Sequence, residues 1–273
     1  MRRWFLLAIL PIVSHPLPAE PPVVGPPAGS LVIVGGGRIG PAIASRFIDL
    51  AGGLEAPVVV IPTAGTEDAF SEAYLKNHWL AKAGMKNLTL LHTRDRNLAD
   101  VGAFVAPLAR ARAVWFDGGR HWRLADSYLD TRTHRELHAL LARGGVIGGS
   151  SAGATIQGSY MVRGAREGNT IMMAPGYETG LGFLRGVAID QHLLRRKREN
   201  DMVAVIEKHP ELLGIGIDES TAVVVQGDAF DVVGESKVAV YDKGYGVGSD
   251  GKSYYFLNPG ERFDLKKRVR IGR

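Results

Sequence analysis

The segment VIGGSSAGATIQG, residues 146–158, joins a short apolar run to two serines that lie among four glycines. A continuous apolar run of this length, bounded by turn residues, predicts a strand buried on both faces of a parallel sheet. The small residues after it allow the chain to turn tightly and to continue as a helix. The segment therefore predicts a strand–turn–helix unit with a hydroxyl group at the turn.

Four similar apolar runs precede this unit, and a stretch with helical periodicity follows each of them. The predicted strands are 31–37, 56–65, 87–93, 112–119 and 145–150, and the predicted helices are 39–51, 71–83, 98–111 and 121–143. Strands that alternate with helices form βαβ units, which place the strands parallel and the helices on both faces of the sheet. The sequence predicts an α/β fold, a three-layer sandwich around a mostly parallel sheet.

In the last third of the chain, apolar strand patterns no longer alternate regularly with helical patterns. Residues 190–208 are rich in charge and are predicted as an amphipathic helix. Residues 221–242 alternate short strand patterns with Gly-Asp and Gly-Glu turns, which indicates an antiparallel meander. The predicted fold therefore ends in a C-terminal antiparallel extension, and residues 30–273 form a single domain.

The first 29 residues are expected to lie outside that domain. Residues 1–19 have a basic start, an apolar core of about ten residues and a small-residue cleavage site, the layout of a secretory signal peptide. Since a membrane-spanning helix needs about 20 apolar residues, a membrane anchor is disfavoured. Residues 20–29 are rich in proline and are predicted as a linker. The mature protein is expected to be secreted or periplasmic, with no membrane association after cleavage.

Composition narrows the chemistry of the mature chain. The sequence contains no cysteine, which excludes disulfides, thiolate metal ligands and a cysteine nucleophile. Loss of residues 1–19 leaves 31 basic and 28 acidic residues, a net charge of +3. That balance is too small to indicate a nucleic-acid partner.

Two glycine- or arginine-rich stretches have more than one interpretation. Residues 35–40 match the G-x-G-x-x-G dinucleotide fingerprint, but the second strand closes with Ile61-Pro62-Thr63 rather than with an acidic residue for the ribose. A tight turn that brings backbone close to the site is the favoured interpretation. Residues 195–198 are basic, and three interpretations are open: a nucleic-acid patch, a solvated helix face or a binding site for a substrate carboxylate.

The turn at residues 149–153 fits the G-x-S-x-G pattern with Ser151 at its centre. Such a strained turn projects the serine hydroxyl, and the N–H of the next residue, Ala152, points at a developing oxyanion. A phosphate-binding turn and a plain strand-to-helix connection remain alternatives. If the turn is catalytic, Ser151 is the nucleophile, since Ser150 faces the other side.

A serine nucleophile needs a base and a group that orients the base. His192 is the favoured base because a predicted apolar strand, residues 187–189, delivers it to the start of the predicted helix. Glu219 ends a second apolar stretch and is the candidate for orienting the imidazole. The chain order Ser–His–Glu differs from that of the α/β-hydrolases, in which the acid comes second. This order argues against an ordinary esterase.

Taken together, these segments resemble peptidase family S51, which includes cyanophycinase and aspartyl dipeptidase (peptidase E). The resemblance runs from Leu31 to Gly248 and is carried by LVIVGGG, WFDGG, GGSSAGA, DQHLLRRKR and GIGIDESTA. It implies a sandwich like that of the class I glutamine amidotransferases, which is flavodoxin-like. It also implies a triad of Ser151, His192 and Glu219, with oxyanion donors from Ala152 and the Gly119–Arg120 turn. No metal or organic cofactor is implied.

The DQH and GIGIDE segments point to the cyanophycinase branch, whose members release β-aspartyl-arginine dipeptides from a poly-aspartate backbone. The resemblance implies a peptide or cyanophycin-like substrate, and a homodimer is compatible with it. The residues that it implies for substrate binding are His121, Asp190, Gln191, Arg196 and Arg198. An aspartyl dipeptidase-like exopeptidase and an inert ligand-binding member of the same fold are the alternatives.

The chain departs from the cyanophycinase pattern at several positions. Leu193 replaces a phenylalanine, Asp201 replaces the last arginine of the recognition segment, and the Gly-Gly-Asp-Gln loop reads Gly-Gly-Arg-His at residues 118–121. On a continuous helix Asp201 would lie 2.5 turns beyond His192, at the outer rim of the pocket. We expect activity on β-aspartyl-arginine linkages, with more tolerance for lysine or for short substrates than a typical cyanophycinase shows. The alternative is that Asp201 faces solvent and pairs with Arg198 or Lys197.

Overall fold

A computed structural model describes residues 24–67 and 70–272 of the 273-residue chain. The predicted signal peptide and residues 20–23 of the predicted linker lie outside the described residues. Residues 24–29 lie against the domain: the backbone N–H groups of Val24 and Gly25 donate to Asp228 Oδ1 at 2.8 and 3.1 Å. The backbone carbonyl of Val24 also accepts a hydrogen bond from the N–H of Arg185 at 2.9 Å.

The described strands and helices alternate through the first half of the chain. The strands are β1 (Ser30–Val34), β2 (Val58–Ile61), β3 (Leu88–Leu90), β4 (Ala113–Phe116), β5 (Val146–Ser150), β6 (Gly158–Tyr160), β7 (Leu184–Gln191), β8 (Leu213–Ile217), β9 (Thr221–Gln226), β10 (Ala229–Gly234), β11 (Val238–Tyr241), β12 (Tyr255–Leu257), β13 (Arg262–Asp264) and β14 (Val269–Ile271).

The helices are α1 (Pro41–Ala51), α2 (Glu72–Asn77), α3 (Trp79–Lys82), α4 (Arg96–Ala99), α5 (Gly102–Arg110), α6 (His121–Tyr128), α7 (Arg132–Ala142), α8 (Ala152–Thr155) and α9 (Asp201–Lys208). The predicted helix 121–143 is divided into α6 and α7, since Asp130 adopts a φ of +62° between them. No helix that the structure describes has the length and apolar character needed to cross a bilayer.

The central sheet has the strand order β14-β13-β10-β9-β1-β5-β4-β2-β3 within the described residues. Five strands run parallel, in the spatial order β1, β5, β4, β2 and β3. The sheet continues beyond β1 with antiparallel pairs of β9, β10, β13 and β14. Helices cover both faces. The predicted α/β fold, with a mostly parallel sheet and a C-terminal antiparallel extension, is confirmed.

A second sheet, with the order β12-β11-β8-β7-β6, was not predicted from the sequence. Residues 238–241, which we assigned to the meander, belong to this sheet because they pair with residues 214–217 of β8. All four residues of β11 are buried, so both faces of this strand are covered. The second sheet is therefore an inner layer and not an exposed hairpin.

In the part of the chain that the structure describes, three hydrophobic clusters hold these layers together. The largest lies between the two sheets, where Ile33 and Ile147 share a cluster with Val187 and Ile215 and with side chains of α5–α7. A second cluster packs α1 and α3 on the opposite face of the central sheet, and a third packs α9 on the outer face of the second sheet. Burial of this apolar surface is the main favourable contribution to folding.

The predicted helix over residues 190–208 is wrong in its first half. Residues 187–191 belong to β7, where they pair in parallel register with residues 213–217 of β8. His192 and Lys197 then adopt φ angles of +55° and +54°, which no α-helix tolerates. The helix begins only at Asp201. His192 therefore lies at the end of a strand rather than on a helix.

Candidate active site

Three side chains meet where strands of the two sheets end. Ser151 follows β5, His192 follows β7 and Glu219 follows β8 by two residues. Ser151 Oγ lies 2.8 Å from His192 Nε2, and His192 Nδ1 lies 2.6 Å from Glu219 Oε1. The structure thus brings together the three residues that the sequence singled out, in a continuous chain of hydrogen bonds.

The backbone at Ser151 is strained, with φ and ψ of +57° and −112°. The neighbouring glycines make this turn sterically possible. A Cβ atom at Gly149 would lie 2.3 Å from the carbonyl oxygen of Gly153, and one at Gly153 would lie 2.3 Å from that of Phe116. The Ser151 N–H donates to the carbonyl of Val34 at 3.0 Å. The turn has the geometry of a nucleophile elbow, in which close backbone packing projects the hydroxyl.

The glycines after β1 form a wall beside the histidine and the glutamate. A Cβ atom at Gly36, whose φ is +123°, would lie 2.2 Å from His192 Cε1. A Cβ atom at Gly37 would lie 2.9 Å from that of Glu219. The His192 N–H donates to the carbonyl of Gly35 at 2.8 Å. These contacts explain residues 35–37 as a close backbone approach, without a dinucleotide.

The environment of His192 favours its neutral form. The residue is 7% exposed, and this burial lowers the pKa of the imidazole. The hydrogen bond with Glu219 opposes the shift, whereas the nearby charge of Arg196 lowers the pKa further. Since Glu219 accepts from Nδ1–H, the lone pair of Nε2 faces Ser151. A neutral imidazole in this tautomer can accept a proton from the hydroxyl.

The predicted oxyanion donors are only partly compatible with the structure. The N–H of Arg120 donates to the carbonyl of Ala64 at 2.8 Å, so Arg120 is not a free donor and this part of the prediction is wrong. Within residues 24–67 and 70–272, no hydrogen bond is donated by the N–H of Gly119, and that of Ala152 is the first of α8 and lacks a helical acceptor. Gly118 lies against Ser151: a Cβ atom added at Gly118 would lie 3.8 Å from Ser151 Oγ.

Three of the residues predicted to bind substrate are buried instead. His121, Asp190 and Gln191 are each at most 2% exposed. Gln191 Nε2 donates to His121 Nε2 at 3.1 Å, and His121 Nδ1–H donates to the carbonyl of Arg163 at 3.1 Å. Burial lowers the pKa of His121 to about 3, which keeps the ring neutral. Their polar groups are thus paired inside the domain, and contact of these residues with a substrate stays a prediction.

The two predicted arginines differ in exposure. Arg198 is 6% exposed, and its Nη1 donates to Gln191 Oε1 at 3.0 Å. Burial lowers the pKa of Arg198 to about 10, which still leaves it charged at neutral pH. Arg196 is exposed and close enough to His192 to affect its titration. Of the pair, Arg196 is the one that a substrate can reach.

Arg163 is a central residue that the sequence analysis missed. It is 1% exposed, and its Nε and Nη2 donate to the two carboxylate oxygens of Asp190 at 2.7 and 2.8 Å. Nη2 also donates to Asp201 Oδ2 at 2.7 Å. Its only sequence signal is a single charge in the run SYMVRG, residues 159–164. Such a charge is usually paired when it is buried.

Asp201 therefore does not occupy the position that we expected. It is the first residue of α9 and pairs with Arg163, rather than lying free on a helix that continues from His192. The carboxylate that departs from the cyanophycinase pattern is therefore paired with an arginine of the same chain. Across the described part of the chain, no three His, Asp or Glu side chains come together as ligands for a metal ion.

Comparison with known proteins decides the family. The model of peptidase family S51 matches residues 31–233. The chain belongs to peptidase family S51. Cyanophycinase from Geminocystis herdmanii is 32% identical over 220 residues, which covers 78% of this chain and 80% of that protein. Cyanophycinase from a Nostoc species is 31% identical over 225 residues, with 78% and 73% covered. The predicted family is confirmed.

Solved structures agree with this S51 assignment. A peptidase from an acI-B1 actinobacterium superposes with a TM-score of 0.64 at 26% identity, and the match covers 87% of this chain and 97% of that chain. A putative peptidase E from Listeria monocytogenes superposes with a TM-score of 0.57 at 15% identity, covering 76% and 99%, and supports the fold alone. The protein is a peptidase of the cyanophycinase and peptidase E type.

Proposed function

We propose that this S51 peptidase is a serine peptidase that hydrolyses the backbone peptide bonds between the aspartates of a cyanophycin-like substrate and releases β-aspartyl-arginine dipeptides. The observation that carries the proposal is the chain of hydrogen bonds from Ser151 to His192 to Glu219, with distances of 2.8 and 2.6 Å. The similarity to several cyanophycinases supports the substrate class. The alternative is an exopeptidase of the aspartyl dipeptidase type.

In the proposed reaction, Ser151 Oγ attacks the carbonyl carbon of the scissile bond while His192 Nε2 takes the hydroxyl proton. Glu219 holds the Nδ1–H and stabilises the imidazolium that forms. The N–H groups of Gly119 and Ala152 stabilise the oxyanion, and loss of one such donor costs about 3 kcal/mol of transition-state stabilisation. The C–N bond then breaks as His192 returns the proton to the leaving amine. Water removes the acyl group by the same steps.

The substrate assignment is tested by incubating the purified protein with insoluble cyanophycin and identifying the soluble products by mass spectrometry. We expect β-aspartyl-arginine dipeptides from the wild type and none from Ser151→Ala. Short β-aspartyl dipeptides serve as a second substrate. Cleavage of these dipeptides without release from the polymer would favour the exopeptidase. Hydrolysis of simple acyl esters with no peptide cleavage would contradict both.

The pH dependence of kcat/KM is expected to report His192. Because only the neutral imidazole accepts the serine proton, and burial lowers its pKa, the acid limb should have its midpoint below the ordinary histidine value of about 6.5. Replacing Arg196 by glutamine removes a positive charge that opposes protonation. The midpoint should then move to higher pH. The pH–rate profiles of the two proteins measure this shift.

Arg195→Gln is the matched control for that experiment. Arg195 is also exposed and adjoins Arg196 in the chain, but it is not among the causes of the lowered His192 pKa. The acid limb of the Arg195→Gln profile should have the same midpoint as that of the wild type. An equal shift in both variants would mean that general surface charge, and not the position of Arg196, sets the limb. No shift in either would contradict the assignment of the limb to His192.

We also propose that the protein is exported. The support is the layout of residues 1–19, a basic start followed by a short apolar core and a small-residue cleavage site. The mature chain should begin near Glu20 and accumulate outside the cytoplasm. N-terminal sequencing of the protein from a secreting host checks both statements. A mature chain that still carries Met1 would refute the proposal.

A further inference from the structure

An open cleft of about 570 Å³ lies beside the proposed oxyanion turn. Its size is within the range of sites that hold small ligands or substrate side chains. Aromatic and acidic residues dominate its lining. The residues that matter here are Glu67, Phe70, Tyr74, His78, Trp79 and Asp117. Neither the proposed catalytic residues nor the arginines of the recognition segment line it.

The position of the cleft follows from the chain. Asp117 is the first residue after β4, and the next two residues form the turn that packs against Ser151. The Cβ position of Gly118 is 3.3 Å from that of Ser151. Asp117 is therefore one residue from the reacting centre. A substrate bound at Ser151 has this cleft next to it.

The cleft retains negative charge. Asp117 Oδ2 accepts the hydroxyl of Tyr74 at 2.6 Å, and Oδ1 accepts His78 Nε2–H at 3.0 Å. His78 Nε2 carries the proton because Nδ1 accepts the N–H of Leu80 at 3.3 Å. Both partners act as hydrogen-bond donors, so they orient the carboxylate and leave its charge in place. The two carboxylate oxygens of Asp117 offer four lone-pair positions, so they can accept further hydrogen bonds from a ligand.

Glu67 adds a second carboxylate to the same cleft. Burial raises the pKa of Tyr74, and the charges of Asp117 and Glu67 raise it further, so both carboxylates act on this hydroxyl. The rings of Phe70 and Tyr74 pack edge to face with centroids 4.7 Å apart. Carboxylates combined with aromatic rings form a surface that attracts an organic cation.

Two nearby arginines do not cancel this charge within the lining. Arg94 donates to the backbone carbonyls of Gly65 and Glu67, each at 2.8 Å. Arg123 donates to the carbonyls of Ala64 and Gly65. Both guanidinium groups are bound to the backbone of the loop after β2 and are absent from the cleft lining. Among the residues that the structure describes, Glu67 and Asp117 are the two that place a carboxylate in the cleft lining.

We propose that this cleft binds the guanidinium or ammonium group of a substrate side chain adjacent to the scissile bond. The inference rests on the peptidase function proposed above and adds a subsite to it. Asp117 and Glu67 supply the charge, while Tyr74 and Phe70 supply the ring surfaces. Arg196, the exposed arginine near His192, supplies the opposite charge. A substrate that carries both a carboxylate and a cation matches this division.

The test uses two peptides that differ only in charge: a short polymer of β-aspartyl-arginine units and the same polymer with citrulline in place of arginine. Glu67→Gln removes one carboxylate without changing shape. We expect kcat/KM for the arginine peptide to fall about tenfold, within the range of a partly exposed cation site. The citrulline peptide should be unaffected. Asp117→Asn should lower the ratio of kcat/KM for the arginine peptide to kcat/KM for the citrulline peptide further than Glu67→Gln does.

Glu55→Gln is the matched control, since Glu55 is an exposed carboxylate that precedes β2 and lies outside the cleft. It should change neither rate. As a second measurement, calorimetry on Ser151→Ala compares the binding of arginine amide with that of citrulline amide. We expect tighter binding of arginine amide, and this preference should disappear in the Ser151→Ala/Glu67→Gln double variant.

The two proposals fail in different ways. If the wild type cleaves both peptides and Glu67→Gln lowers both rates equally or neither, the cationic subsite is wrong and the peptidase function stands. If the wild type cleaves neither peptide but still prefers arginine amide in a Glu67-dependent manner, the substrate assignment is wrong and the cation site stands. Equal binding of the two amides contradicts the subsite whatever the activity.

Discussion

Replacement of Ser151 by alanine is expected to abolish peptide hydrolysis and to leave the fold intact. Alanine keeps the Cβ atom, so the strained turn with a φ of +57° is preserved while the hydroxyl that bonds to His192 is lost. Removal of a triad nucleophile lowers kcat by about 10⁴ to 10⁶. Turnover of cyanophycin and of β-aspartyl peptides, with circular dichroism on the same samples, measures both parts of the prediction.

Ser150→Ala is the control for this experiment, because it removes a hydroxyl from the adjacent residue of the same segment. Ser150 ends β5 and pairs there with Val34, and it does not bond to His192. We expect Ser150→Ala to retain most of the wild-type kcat. A Ser151→Ala protein with a tenth of the wild-type activity would overturn the proposed mechanism, as would equal losses in the two variants.

Local sequence patterns were sufficient for the parts of the site that local geometry determines. The elbow at Ser151 could be predicted because glycines at fixed offsets are needed wherever backbone packs this closely. The parallel strands could be predicted because each apolar run is buried on both faces. His192 and Glu219 were found because apolar strands lead directly to them. In each case the signal lies within a few residues of the feature.

The errors concern contacts between distant segments. The last two residues of β7, Asp190 and Gln191, were assigned to a charged helix, because their pairing with β8 cannot be read from their own side chains. The N–H of Arg120 was expected to be free, but the carbonyl of Ala64, 56 positions earlier, accepts it. Arg163 showed only an isolated charge. Its two carboxylate partners lie 27 and 38 positions away along the chain.

Arg163 is also the subject of the second large prediction. Its guanidinium holds the buried Asp190 and the half-exposed Asp201, and its backbone carbonyl accepts His121 Nδ1–H. Burial opposes the charge on Arg163, but the bonds with Asp190 and Asp201 outweigh this and raise its pKa. Asp190 Oδ1 also accepts a hydrogen bond at 2.9 Å from the N–H of Gln191, and Gln191 is the residue directly before His192. The cluster thus connects α9 and α6 with the strand that carries the proposed base.

Arg163→Met should be strongly destabilising. Methionine fills part of the volume, but it leaves the buried carboxylate of Asp190 without its bonded cation, although the charge of Arg198 still acts on it. Breaking a buried ion pair in this way costs about 3–5 kcal/mol of unfolding free energy. Urea denaturation of the two proteins measures the loss. We expect Arg163→Met/Asp190→Asn to recover part of it, since the double variant removes the uncompensated charge as well.

Arg166→Met is the matched control, three residues further along the chain. Arg166 also pairs with an aspartate, Asp126, but its side chain is 53% exposed. Solvent screens such a pair, so its loss should change the stability far less than the loss of Arg163. If the two variants lost the same stability, burial of the Arg163 cluster would not be the cause. If the double variant were no more stable than Arg163→Met, the unpaired charge of Asp190 would not explain the loss.

The same variants separate a positioning role from a purely structural one. Asp190 accepts a hydrogen bond from the N–H of Gln191, the residue before His192, so the cluster is placed to position the base. If the cluster only stabilises the fold, kcat should be unchanged in the folded fraction. A cluster that positions the base should lower kcat and leave the KM for β-aspartyl peptides near its wild-type value. We expect the second result in Arg163→Met, measured at a temperature where the variant is fully folded. Arg163→Lys keeps the charge but not the forked contact with Asp190, so it should restore stability better than it restores kcat.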